Sequence, residues 1–182
     1  MIALTSVYKT KGADKHLYEM LRERDGHVSI SHRDMPTWAQ HRRFVASKPY
    51  REWYLIVVSG EVVGQVYATK LNEIGVGVLS QFRRKGYASQ AIAALLEKMD
   101  PLPAIPAQRW GQFLANINPK NAASIALFEG LGFRHVQNTF ALGKPPRSIS
   151  YGTLKAVMTV LGASKDEAAK QALAALQGEM RE

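Results

Sequence analysis

The chain has 182 residues and a formal net charge of +9 at pH 7, a length that suits one well-packed domain with a small appendage. No apolar run approaches the roughly 20 residues of a transmembrane helix, so we expect no membrane partner. It contains no cysteine, which excludes disulfides and thiolate metal sites and leads us to expect a cytoplasmic protein, while the positive charge favours phosphate-bearing partners without choosing among them.

Helical spacing of apolar residues predicts two helices near the start, at about 16–24 and from Pro36 to about residue 47. Two β-branched and aromatic runs then flank Ser59-Gly60-Glu61, a pattern that is typical of a β-hairpin. A further strand is predicted at about 73–80.

The second half continues with a helix that begins near Tyr87 and a proline-rich connection at 101–108. A strand is predicted at 108–117, a helix at 122–133 ended by Gly130 and Gly132, and a last strand at 134–142. This order predicts an α+β domain with a mixed, mostly antiparallel sheet and one parallel step.

Residues 143–150 carry prolines and are predicted to be a linker. Apolar stripes over 151–182, together with a capping box at Ser164–Glu167, predict a C-terminal pair of helices. We therefore expect a main domain at 1–142, the linker at 143–150 and a helical extension at 151–182.

The junction between the strand at 73–80 and the following helix has the composition of an anion-binding turn. Arg83, Arg84 and Lys85 supply positive charge, and Gly86 and Ala88 let a ligand approach the free N–H groups that begin a helix. Neither GxGxxG nor a Walker A sequence is present. An ordinary solvated basic turn remains an equal alternative from this stretch alone.

A second stretch adds a family resemblance. RRKGYA at 83–88 and NAASIALFEGLGF at 121–133 resemble, in order and spacing, the two signatures of the GNAT-type N-acetyltransferase superfamily. The resemblance covers about residues 1–140. It implies an α+β fold with a V-splayed sheet flanked by helices, and acetyl-CoA as the co-substrate in the opening of the V.

The resemblance also implies which residues hold acetyl-CoA. The diphosphate would lie on the loop and the helix start, the pantetheine arm on the preceding strand, and two residues of the later helix would contact the cofactor. The implied set is Gly77, Val78, Leu79, Arg83, Arg84, Lys85, Gly86, Tyr87, Ala88, Ser89, Asn121 and Phe128.

For catalysis the resemblance implies direct attack of an amine on the thioester. Glu73, at the head of its strand, matches a carboxylate that draws a proton from the amine through water, although a solvated acid is the simpler interpretation. Family members often have a tyrosine at the position of Phe128, and Tyr87, Tyr67 and Tyr151 are alternative proton donors that the sequence does not rank. His32 could also act as a base. The five histidines show no metal-binding spacing, so no metal is expected.

The expected function is therefore transfer of an acetyl group from acetyl-CoA to a primary amine on a small molecule or a peptide. Residues 31–57 faintly resemble amino-sugar-nucleotide N-acetyltransferases. Two alternatives stay open: a non-catalytic acyl-CoA-binding module, favoured by Phe128, and a nucleic-acid-associated or nucleic-acid-modifying protein, favoured by charge. A homodimer is a further expectation.

Overall fold

The computed structural model describes residues 1–24 and 35–140, and every element below belongs to the unit Met1–Phe140. This part of the chain contains β1 (Ala3–Ser6), α1 (Ala13–Arg22), α2 (Trp38–Ala46), β2 (Glu52–Val58), β3 (Glu61–Ala68), β4 (Ile74–Val78), α3 (Tyr87–Lys98) and α4 (Ala122–Gly130). Single 3-10 turns follow β1 and β4, at Val7–Lys9 and Ser80–Phe82. The predicted linker and C-terminal helices lie outside the described residues, so the predicted domain boundaries stay predictions.

The four described strands form one antiparallel sheet in the order β1-β2-β3-β4. The predicted hairpin is confirmed: Ser59 and Gly60 join β2 to β3 with φ values of 50° and 84°. Positive φ at both loop residues is what the twist of a two-residue hairpin requires. None of the described helices is long and apolar enough to cross a membrane.

The alternating side chains of the sheet supply two separate hydrophobic clusters, one on each face. On one face Ile56, Val66 and Ile74 pack against Ile92 and Leu95 of α3, and Phe128 of α4 joins them. On the other face Trp53 and Leu55 pack against Leu17 of α1, with half-buried aromatic residues from α2 and its flanks. The sheet is thus covered by helices on both sides, as the predicted α+β fold requires.

The sheet opens at the outer edge of β4. There Asn72, two residues before the strand, holds the segment that follows α3 through hydrogen bonds. Its side chain is completely buried; Nδ2 donates to the carbonyls of Leu102 and Trp110 at 2.8 and 2.7 Å, and Oδ1 accepts from Leu102 N–H at 2.8 Å. Its own carbonyl accepts from Leu114 N–H at 2.9 Å. Asn72 also has φ of 64°, a conformation that asparagine tolerates better than most residues.

The parallel step of the predicted sheet consists of a single bridge between Glu73 and Leu114, made by a 2.8 Å bond from Ile74 N–H to the Leu114 carbonyl. The described structure shows no further pairing between β4 and residues 115–117, so the two segments separate there. This gives the open, V-like sheet that the sequence predicts, with β4 as one arm.

Two predicted strands are wrong and one strand was missed. The segment 108–117 forms only isolated bridges, because it turns back at Ile105–Arg109 and its carbonyl at Trp110 is taken by Asn72. Residues 134–140, the described part of the predicted last strand, form no strand and are all exposed, so their apolar side chains have no surface to cover. The missed strand, β1, has only four residues and no apolar run.

Candidate functional site

Beyond the contact of Ile74 with Leu114, the outer edge of β4 pairs with no strand among the described residues. In an antiparallel ladder alternate residues point their N–H and C=O groups at the neighbouring strand. Leu79 N–H donates to the Val63 carbonyl at 3.0 Å, and Thr69 N–H donates to the Glu73 carbonyl at 2.8 Å, so the odd-numbered residues of this stretch face β3. The groups of Val76 and Val78 consequently face the opening of the sheet.

The loop after β4 leads directly to the start of α3. Arg84 has φ of 61° and Gly86 has φ of 76°, so the loop contains two residues with left-handed backbone within three positions. Gly86 is the N-cap of α3 and no side chain caps this helix end. The N–H groups of Tyr87, Ala88 and Ser89 therefore have no partner within the helix and carry the positive end of its dipole.

The three basic side chains of this loop are exposed and take different directions. Arg83 Nε donates to the Val78 carbonyl at 3.2 Å, which holds its guanidinium against the β4 edge. Lys85 Nζ lies 5.5 Å from the centre of the Phe82 ring. The loop thus brings positive charge to the same place as the uncapped helix start.

The end of α1 contacts this loop, a link that the sequence did not indicate. Glu23 Oε2 accepts a hydrogen bond from Ser80 N–H at 2.8 Å, so a carboxylate already occupies one loop amide. The next residue, Arg24, lies close enough to Tyr50 and Tyr67 to influence both phenols. The end of α1 therefore joins the loop to the aromatic face of the sheet.

Gly75 and Gly77 both lie on the face of the sheet that packs against α1 and α2, called here the α1/α2 face. Strand β4 therefore has no side chains at these two positions on that face. A Cβ added to Gly75 would lie 2.2 to 2.6 Å from three atoms of the Tyr67 phenol, which therefore lies directly across this residue. A Cβ added to Gly77 would meet only Gln65, at 3.8 and 3.9 Å. The surface over Gly75 is filled by Tyr67, whereas the surface over Gly77 has room.

Tyr67 is held in place by a group of aromatic residues. Its ring stacks on that of Tyr50 with centroids 4.0 Å apart and planes 8° apart, and Trp53 meets both rings edge-on. Trp53 Nε1 donates to Gln65 Oε1 at 2.7 Å, which fixes the amide beside Gly77. The stack brings two phenols together on the α1/α2 face of the sheet.

Burial dominates the acidity of both phenols. It raises the pKa of Tyr67, with Glu73 adding to the rise and with Arg24 and the Tyr50 hydroxyl opposing it. Burial and the neighbouring Tyr67 raise the pKa of Tyr50 far above its ordinary value. Both pKa values lie above the ordinary value for tyrosine, so both phenols are neutral at pH 7.

Glu73 lies where the sheet begins to open. It is half-buried, and both of its carboxylate oxygens accept hydrogen bonds. Oε1 accepts from Asn116 Nδ2 at 2.7 Å, and Oε2 accepts from Thr69 Oγ1 at 3.3 Å. Thr69 Oγ1 in turn accepts from Glu73 N–H at 3.1 Å. These contacts give the carboxylate one orientation beside the splayed segment, and neither Asn116 nor Thr69 was predicted.

The two predicted cofactor residues of α4 have structural roles. Asn121 is the N-cap of this helix, where Oδ1 accepts from Ser124 N–H at 3.1 Å. Phe128 is 5% exposed and meets Phe133 edge-on at 5.1 Å. Tyr87, at the first position of α3, packs with this same cluster, on the face opposite Tyr67. His32 and Tyr151 lie outside the described residues, and the described part of the chain holds no cluster of potential metal ligands.

The comparisons with known proteins agree with this geometry. The acetyltransferase (GNAT) domain model matches residues 9–134. Among solved structures, a domain from Methanocaldococcus jannaschii has a TM-score of 0.61 at 20% identity, with 76% of this chain and 92% of that chain covered. Among curated proteins none matches the chain in sequence.

Two further structures have named activities. A spermidine N-acetyltransferase from Vibrio cholerae has a TM-score of 0.54 at 12% identity, covering 79% of this chain and 87% of that one. An acetyl transferase from Salmonella typhimurium that modifies the N-terminal serine of ribosomal protein L7/L12 has a TM-score of 0.52 at 19% identity, covering 71% and 78%. At these identities the likeness shows the fold alone. The family model matches well over half of the chain. Together with the fold and the two sequence signatures, this match shows that the protein belongs to the GNAT acetyltransferase family.

Proposed function

We propose that this protein transfers an acetyl group from acetyl-CoA to a primary amine by direct attack on the thioester. The observation that carries the proposal is the continuous path from the open edge of β4, through the loop with Arg84 and Gly86 in left-handed backbone, to the uncapped start of α3. An elongated ligand with a diphosphate at one end suits such a path, because free amides and a helix dipole attract anions.

Acetyl-CoA would be held mainly by backbone. Its diphosphate would accept from the amides of Tyr87, Ala88 and Ser89, with Arg83, Arg84 and Lys85 supplying charge. The pantetheine arm would pair with the outward groups of Val76 and with the Val78 N–H, since the Val78 carbonyl already accepts from Arg83 Nε at 3.2 Å. This alters the expectation for Gly77 and Leu79, since Leu79 N–H is already bonded to β3 and Gly77 faces β3 in the ladder.

The acceptor would enter from the α1/α2 side, where Gly77 leaves room on the sheet. Its amine nitrogen forms a bond to the acyl carbon, and the thiolate leaves with the electrons of the C–S bond. Glu73, held by Asn116 and Thr69, would receive the proton of the amine through water. The acceptor is a small-molecule or peptide amine, and a cytoplasmic location and a homodimer remain parts of the proposal.

The direct test is thiol release from acetyl-CoA with a panel of free polyamines, amino-sugar nucleotides and peptides with free N-termini. Glu73→Gln should lower kcat on the order of 10²-fold with the best amine, because proton transfer contributes at least that much in comparable reactions. Glu61→Gln, at the exposed start of β3, should leave kcat unchanged. Equal rates for both variants would exclude Glu73 as the base.

A second candidate function is a non-catalytic acyl-CoA-binding module. Phe128 favours it, because a phenylalanine packed against Phe133 cannot donate a proton to the thiolate. The module predicts tight acetyl-CoA binding with no thiol release for any amine in the panel. Thiol release that depends on an added amine would exclude it.

A further inference from the structure

The structure separates the candidate proton donors that the sequence left unranked. Tyr87 packs with the cluster around α3 and α4, whereas Tyr67 belongs to the cluster on the α1/α2 face. Glu73 contacts the same region, since its charge raises the pKa of Tyr67. Of the described candidates, Tyr67 is therefore the phenol on the side from which an amine would enter.

Its position relative to β4 is also specific. The phenol lies across Gly75, as the contacts of an added Cβ show, and Gly75 directly precedes Val76, whose backbone faces the opening. A thioester lying along that edge would have its sulfur beside this part of the strand. The absence of a side chain at position 75 is what allows the phenol to lie there.

The surroundings of Tyr67 fit a donor. Tyr50 stacks on the ring with centroids 4.0 Å apart, and burial raises the pKa of Tyr67, so the hydroxyl keeps its proton at neutral pH. Trp53 contacts both rings edge-on and restricts their movement. Tyr50 is thus placed as a positioning residue for Tyr67.

We propose that the Tyr67 hydroxyl is the catalytic donor to the departing sulfur, in place of the phenol that Phe128 lacks; this rests on the proposed acetyl transfer. As the C–N bond forms and the C–S bond breaks, the sulfur leaves with the electron pair and takes the Tyr67 proton. The proton lost by the amine returns to the Tyr67 oxygen through water and Glu73. The balance is amine plus thioester to amide plus thiol. A phenol is a weaker acid than a thiol, so the proton moves only as the C–S bond breaks. Tyrosinate is correspondingly the stronger base, takes up the proton from the amine at once and does not accumulate.

The test compares Tyr67→Phe with a matched variant, Tyr54→Phe, which also removes one hydroxyl and keeps the ring. Tyr54 packs on the opposite face of the sheet. With the best amine, Tyr67→Phe should lower kcat on the order of 10²-fold while the Kd of acetyl-CoA and the thermal melting temperature stay unchanged. Tyr54→Phe should remain within about twofold of the wild type.

A structural role is separated from a catalytic one by the solvent isotope effect. The wild type should show a slower kcat in deuterated water, and Tyr67→Phe should lose most of that difference. A normal kcat in Tyr67→Phe, an unchanged isotope effect, or an equal loss in Tyr54→Phe would overturn the assignment.

A binding experiment tests whether Tyr67 lies beside the sulfur of the cofactor, even when no acceptor amine is known. The protein, labelled with 3-fluorotyrosine, gives one ¹⁹F signal that is missing from Tyr67→Phe. That signal should shift with coenzyme A and remain in place with desulfo-coenzyme A; equal shifts would overturn the proposal. If no amine releases thiol with the wild type, the proposed function fails separately from this result.

Discussion

Gly75 and Gly77 lie on the same face of β4 but meet different surroundings. Tyr67 occupies the space where a side chain at position 75 would lie, whereas the space over position 77 is bounded only by Gln65. One glycine is therefore required by the packing of the protein. The other leaves room that the described residues do not fill, as a ligand surface would require.

The two alanine variants should separate these roles. Gly75→Ala should lower the free energy of unfolding by about 1–3 kcal/mol, because the methyl group displaces a phenol that is stacked on Tyr50. Gly77→Ala should change it by less than about 1 kcal/mol, since its new contacts are of ordinary length. Urea unfolding measures both, and equal stabilities would contradict the packing described for Tyr67.

Asn72 is the other residue whose environment is set by distant parts of the chain. Asn72→Ala removes the three hydrogen bonds that the buried Asn72 side chain makes with the backbone of Leu102 and Trp110, so it should cost on the order of 3 kcal/mol. Asn72→Gly keeps the left-handed backbone but loses the same bonds. It should therefore be destabilised somewhat less than the alanine variant, and a glycine variant as stable as the wild type would show that the bonds contribute nothing.

At the scale of elements, the local signals predicted most of the fold. Apolar periodicity located α1 to α4, and Ser59-Gly60 located the hairpin, because these features depend on neighbouring residues. Helix α2 begins two residues later than predicted, at Trp38: Thr37 is its N-cap, with a capping box to Gln40, and Pro36 precedes the cap. The failures at 108–117 and at β1 depend on long-range partners, namely Asn72 and the β2 edge.

The candidate site also has one part that depends on neighbouring residues and another that depends on distant ones. The anion-binding turn is local, so its glycine and basic residues could be recognised from the sequence. The Tyr50–Tyr67 stack and the contacts of Glu73 with Asn116 join residues that are 17 and 43 positions apart. The stack arises from the register that pairs Trp53 with Tyr67, and the Glu73–Asn116 contact lies beside the bridge between Glu73 and Leu114, so no short motif encodes either one.

At the scale of the whole molecule, the packing of α1 against α2 depends on a buried histidine. His41 is 3% exposed, stacks on Trp38 and donates from Nε2 to the Asp14 carbonyl of α1 at 2.8 Å. Burial lowers the pKa of His41, against smaller opposing effects of Asp14. The folded protein therefore binds this proton less readily than the unfolded chain does.

The stability that neutral His41 contributes is present above the unfolded pKa of 6.5 and is lost progressively as pH falls below it. The contribution to the slope reaches at most about 1.4 kcal/mol per pH unit. His41→Gln, which is uncharged at every pH, should lose this part of the pH dependence between about pH 5 and 7. Urea unfolding of both proteins at matched pH values measures it, and parallel pH profiles would show that His41 does not titrate differently in the folded state.

The central claim is that the start of α3 binds the diphosphate of acetyl-CoA, and calorimetry of two glycine variants tests it most directly. Gly86 and Gly12 are both N-caps in left-handed backbone, with φ values of 76° and 79°, at the starts of α3 and α1. The two substitutions impose the same backbone strain, but only Gly86→Glu places a carboxylate where the diphosphate would lie. We predict that Gly86→Glu weakens acetyl-CoA binding at least about tenfold while Gly12→Glu binds like the wild type. Equal binding by the two variants, or no binding by the wild type, would contradict the claim.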